Sequence, residues 1–105
     1  MTPDQIIKSV AHDLGITQSA ILGKREQQTV YDGRCIFAYL CLDTYQISRV
    51  SVLEAFPTVS MMRLVEWLHE ARAMMDDPDF EALFQRAANT IKIASEPLAE
   101  QQRAA

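Results

Sequence analysis

Cysteine is nearly missing from this chain: two in 105 residues, too few for the disulfide framework of a small secreted domain. Cys35 and Cys41 are six positions apart in one apolar stretch, so on a helix they point about 240° apart and cannot bond to each other. Buried, reduced thiols are the expectation. Cationic charge is short as well. Ten Lys and Arg against 14 Asp and Glu leave a net charge of −4 and a pI near 5.0, which excludes an indiscriminate nucleic-acid coat, because neutralising phosphates needs a surplus of cations. Any DNA contact has to come from a local patch. No run approaches the roughly 18 apolar residues of a membrane span, and Met1-Thr2-Pro3-Asp4-Gln5 lacks the basic-then-apolar order of a signal peptide. A cytoplasmic chain with no membrane partner is expected.

Catalytic signatures are equally thin. His12 and His69 fall on separate predicted helices without clustered Cys or acidic partners, so no zinc site is expected. Asp76, Asp77 and Asp79 flank Pro78 and have no downstream loop of calcium ligands, which fits helix capping. Gly23-Lys24 is not a nucleotide-binding loop: Gln18 stands where the earlier glycine is needed, and Arg25 replaces the Ser or Thr that would hold magnesium. The expectation is a binding module with no catalytic residue, metal or cofactor.

Helical periodicity is what the chain does have. Thr2, Pro3 and Gln5 form a capping box ahead of Ile6, Ile7, Val10, Ala11 and Leu14, which share one face, and Gly15 can end that helix. Thr17 can cap a short helix through Leu22. The segment from Gly23 to Gln28 reads as a connection, and the apolar run Tyr31 to Leu42 as a central, largely buried helix. Ser48 can cap a short helix that Pro57 closes. A longer amphipathic helix follows from about Ser60 through Met75, and Asp77 caps a last one through Phe80, Phe84 and Ile91. Strand alternation, hairpin signals, repeats and low-complexity blocks are lacking. The fold class is therefore all-α, a compact bundle of about six helices over residues 1–94, with a polar tail over 95–105.

The two helices around Phe56-Pro57-Thr58-Val59-Ser60 have the proportions of a helix-turn-helix. From Ile6 to about Ile91 the chain resembles the C-terminal DNA-binding domain of the bacterial chromosomal replication initiator, DnaA. The resemblance is carried by Ile7-Lys8-Ser9-Val10-Ala11, Ile16, Ile21-Leu22-Gly23-Lys24-Arg25, Thr29-Val30, Arg34, Tyr39-Leu40 and Glu54-Ala55-Phe56. It implies a helical domain whose basic loop reaches DNA backbone and minor groove while a helix-turn-helix reads the major groove of a replication-origin box. On that basis Lys24 and Arg25 in the loop and Arg34 at the head of the central helix inherit phosphate or minor-groove roles, which suits cations beside a helix N-terminus. The plainer alternative makes Lys24 and Arg25 solvated charges and pairs Arg34 with Asp32 or Glu26.

The chain also departs from that family. Where the family carries Gly-Gly-Arg-Asp-His and then Ser/Thr-Thr-Val, this chain reads Pro57-Thr58-Val59-Ser60-Met61-Met62-Arg63-Leu64. Met61 and Met62 cannot make directional bonds to base edges, and Trp67 replaces a small residue. Glu26, Gln28 and Asp32 stand at usual cation positions of the loop. The expected function is double-stranded DNA binding with altered or relaxed specificity in replication or transcription control, nucleoid-associated, through Lys24, Arg25, Arg34, Arg49, Ser60 and Arg63. The other reading pairs Arg49 and Arg63 with Glu54, Glu66 or Glu70 and makes Val59, Met61, Met62 and Trp67 a surface for a protein partner or a second copy in a homodimer. The plainer alternative for those four is ordinary core packing against Phe80 and Phe84.

Overall fold

A computed structural model describes residues 1–24 and 26–95 and is all-helical. Helix α1 (Pro3–Leu14) begins as its sequence dictates: the Gln5 amide donates to Thr2 Oγ1 at 3.2 Å and the Thr2 amide donates back to Gln5 Oε1 at 3.0 Å. Gly15, at φ 66°, ends it in the left-handed conformation that a residue with a Cβ resists. Thr17 caps α2 (Gln18–Leu22), accepting from the Ala20 amide.

Helix α3 (Gln28–Tyr39) is the axis of the molecule. It starts three residues before the expected Tyr31 and runs straight into a π-helical turn, Leu40–Thr44. The Tyr45 amide reaches back to the Leu40 carbonyl at 2.9 Å, and the Ile47 amide to the Cys41 carbonyl at 2.8 Å. Gln46 closes the turn at φ +52°, in a region where a non-glycine side chain is strained. Then come α4 (Arg49–Ala55), capped by Ser48, and α5 (Met61–Met74), capped by Ser60, with residues 56–60 as the turn between them. The last helix, α6 (Pro78–Ser95), opens with the Asp79 amide donating to Asp77 Oδ1 at 2.9 Å. It runs one residue into the expected tail, and residues 96–105 lie outside the described residues.

The core forms where α5 lies along α3, with α1, α4 and α6 closing round them. Ile36, Phe37, Leu40 and Cys41 on α3 and the turn after it, and Leu64 on α5, are completely buried. Phe37 meets Phe56 edge to face at 5.5 Å, and Tyr39 meets Phe84 at 5.0 Å. Cys35 and Cys41 are free and buried as expected, and burial pushes both thiols up to about 12. Gly33 is the close-approach glycine, since a Cβ there would meet Ile16 Cδ1 at 3.0 Å, so its absence lets the α1–α2 connection settle on α3. No helix among the described residues is long and apolar enough to cross a membrane.

Candidate nucleic-acid interface

Arg34 is the one buried charged residue among those described, 6% exposed. Its place follows from the α3 pattern: Val30, Arg34, Phe37 and Cys41 recur at the spacing of one helical face, and that face points inward. An arginine buried there must be satisfied by oxygen. Its Nε donates to the Ile21 carbonyl at 2.8 Å, and Nη2 donates to the carbonyls of Ala20 at 3.1 Å and Gly23 at 2.6 Å. These carbonyls belong to the C-terminal end of α2, where a helix presents partial negative charge and unpaired acceptors. A five-residue helix is too short to persist without tertiary support, and Arg34 supplies it. The expected position at the head of the central helix is therefore corrected: Arg34 lies inside α3, its guanidinium turned to the protein's own backbone.

Arg63 makes a similar inward turn from the first turn of α5. Its Nη2 donates to the same Gly23 carbonyl at 3.0 Å, and its Cζ lies 5.1 Å from the centre of the Trp67 ring. The Arg34 Cζ lies 6.0 Å from that ring. One indole thus faces two guanidiniums, an attraction between cation and ring quadrupole that draws like charges together. The cost is visible at Arg34, whose pKa is lowered first by burial and then by the charge of Arg63.

Beside this cluster a cleft of about 480 Å³ opens between the α2–α3 connection, α3 and α5. Lys24, Glu26, Tyr31, Arg34, Arg63 and Trp67 line it, with Gln28. The Tyr31 hydroxyl is pushed up to about 12, mainly by burial and then by its neighbours Cys35 and Glu70, the glutamate both as a negative charge and as a hydrogen-bond partner. Glu66 and Glu70 line a smaller pocket of about 180 Å³ that shares Tyr31 and Trp67 with the cleft, so the electrostatic character changes sign within two turns along α5.

Of the five described residues expected to meet DNA, the cleft gathers three. Lys24 is exposed, whereas Arg34 and Arg63 each give part of their hydrogen-bonding capacity to Gly23. Arg49 is exposed at the first position of α4, with no ion pair among the described residues. The Ser60 hydroxyl caps α5 by accepting from the Arg63 amide at 3.2 Å. Arg25 lies outside the described residues. The alternative partner surface is corrected by half: Val59 and Trp67 are buried in the core at 4% and 6% exposure, while Met61 and Met62 stand out at 41% and 77%. Val65, one turn on from Met61, joins them at the surface. No group of three His, Cys, Asp or Glu able to hold a metal ion occurs among the described residues.

Fold and site together define a small all-helical protein with a cation-lined cleft on one side of its fifth helix and an apolar strip on another. No known family, curated protein or solved structure matches the chain.

Proposed function

We propose that this protein is a helix-turn-helix module that binds double-stranded DNA chiefly through the sugar-phosphate backbone, with relaxed sequence specificity, and acts in the control of replication or transcription. The observation that carries the reading is that exposed Lys24 and half-buried Arg63, from separate elements, meet at one cleft, with buried Arg34 fixing the Gly23 carbonyl between them. Arginine has five N–H donors, and Arg63 commits one nitrogen to Gly23, keeping others for a phosphate oxygen. The resemblance to the initiator's DNA-binding domain supports the same placement, a loop cation and the start of the second motif helix meeting one strand.

The outward side of α5 limits this to backbone contact. Met61, Met62, Val65, Glu66 and His69 face that way, and of these only His69 offers a donor to a base edge, beside a carboxylate that repels phosphate.

Fluorescence anisotropy of a labelled duplex, titrated at about 50 and 200 mM salt, tests the proposal. About three neutralised phosphates predict a slope near −2.7, so that fourfold change in salt weakens binding roughly 40-fold. Lys24→Ala and Arg49→Ala, both at exposed positions, lower the affinity, and each lowers the slope by about one if its residue meets a phosphate. A duplex that does not bind at the lower salt, or binds with no salt dependence, overturns the reading.

A further inference from the structure

The cleft leaves the other side of α5 unexplained. At about 100° per residue, Met61 and Val65 lie roughly 160° round the helix from Arg63 and Met62 about 100°, so the exposed apolar residues stand on a different side from the cation. On the second side, Met61, Met62, Val65, Glu66 and His69 line an open groove of about 660 Å³. Met62 is 77% exposed, the most of any large apolar side chain described, and on the same helix Met61 and Val65 are 41% and 36% exposed. Isolated apolar residues on a surface need no explanation, but three on adjacent turns of one helix make a continuous strip.

We propose that this groove docks a basic amphipathic helix of a partner protein. Three observations select that occupant. First, the lining from Met61 to His69 spans nine residues, about 12 Å of helix from first to last, which matches two turns of a partner presenting apolar residues at i, i+3, i+4 and i+7. Second, methionine is the side chain that best adapts its shape to an entering apolar ridge. Third, the charge is one-sided: Glu66 sits in the lining, no lysine or arginine among the described residues does, and the chain carries −4 overall, so a helix flanked by Lys or Arg is attracted and an acidic one repelled. The same charge disfavours a second copy, which would bring another Glu66 and another −4 to the interface. The residues that line this groove are not those that line the cationic cleft, so separate variants test the two faces.

The test uses the full chain with ¹³C-methyl-labelled methionine and a synthetic amidated helical peptide of about 18 residues, leucine at the heptad seam and lysine elsewhere, against a twin with glutamate for lysine. The lysine peptide is expected to move the methyl resonances of Met61 and Met62 and to leave those of Met74 and Met75 in place. Met62→Ala combined with Val65→Ala, a change at exposed positions, is expected to weaken that peptide about tenfold or more, as is the glutamate twin, while duplex binding stays within about twofold. Methyl shifts absent at Met61 and Met62, or affinity unchanged in the double variant, would mean that the peptide adsorbs elsewhere through charge alone and overturns the proposal. A concentration-dependent dimer in sedimentation equilibrium that the double variant abolishes gives the groove to a second copy and overturns it too. Loss of duplex binding in the double variant would put this face in the DNA groove, with the same consequence.

Discussion

Helix α5 is one sequence with two unlike sides. Toward α3, Leu64, Trp67, Leu68 and Ala71 are buried, and Arg63 is drawn back over the Trp67 ring onto the Gly23 carbonyl. Toward solvent, Met62 stands mostly uncovered, and Met61 and Val65 are more than a third exposed. The comparison teaches that residue type alone does not place a side chain. Here a charged residue lies inward and methionines lie outward, because the partner across the helix decides. An arginine satisfied by carbonyls and an aromatic face costs little to cover, and a methionine with no neighbouring element has nothing to pack against.

The inner side should fail hardest. Trp67→Ala removes a buried ring and the surface on which both guanidiniums rest, and about 3–5 kcal/mol of unfolding free energy is expected to be lost in urea denaturation. Trp67→Phe keeps most of the volume and measures the ring's share should the alanine variant not fold. Arg34→Met comes next, at about 2–4 kcal/mol, since it takes the guanidinium donors away from the carbonyls of Ala20, Ile21 and Gly23, of which Gly23 alone keeps another side-chain donor, Arg63. Arg34→Lys should recover less than half of that, because a single ammonium cannot span acceptors that the planar fork of arginine reaches. Equal losses on the outer side of α5 would break the comparison.

The element pattern was legible in the sequence because it rests on local chemistry. The Thr2–Gln5 capping box, Gly15, the Ser48 and Ser60 caps and the Asp77-Pro78 start all work within a few residues of chain. The site was legible only in part. Lys24, Arg34 and Arg63 were picked out by residue type and resemblance, but the inward turn of the two arginines depends on Gly23, at a sequence separation of 11 for Arg34 and 40 for Arg63. One signal was present: Arg34 stands in register with Val30, Phe37 and Cys41, and a cation on an otherwise apolar face announces buried acceptors. Nothing comparable marks Trp67, whose burial depends on which face of α5 meets α3, nor the π-helical turn after Tyr39, which breaks no propensity rule.

Alkaline titration sharpens the contrast from the inside. Cys35 and Cys41 hold their protons up to about 12 in the folded chain, whereas an exposed thiol in the unfolded chain releases its own near 8.5. Between those values the native state binds more protons than the unfolded one, so stability falls as pH rises, by at most about 1.4 kcal/mol per cysteine per pH unit. Below the unfolded value both states are protonated and this contribution is flat. Melting temperature measured from pH 7 to 11 should therefore decline above about pH 9, less steeply in Cys41→Ala. Both thiols should stay inert to a thiol reagent until the chain unfolds.

The smallest effect belongs to the outer side. Met62→Gln replaces an exposed apolar side chain with a polar one of similar length and equal helix propensity, and it breaks no described hydrogen bond or core contact. The change in unfolding free energy should stay within about 0.5 kcal/mol, and heteronuclear spectra should move only for residues around Val65 and His69. Val65→Thr should cost slightly more, through the lower helix propensity of threonine and a side chain only partly in water. A loss above about 1.5 kcal/mol from Met62→Gln would mean that the methionine strip is covered in the free protein. In that case the two sides of α5 are alike after all, and the groove has no room for a partner helix.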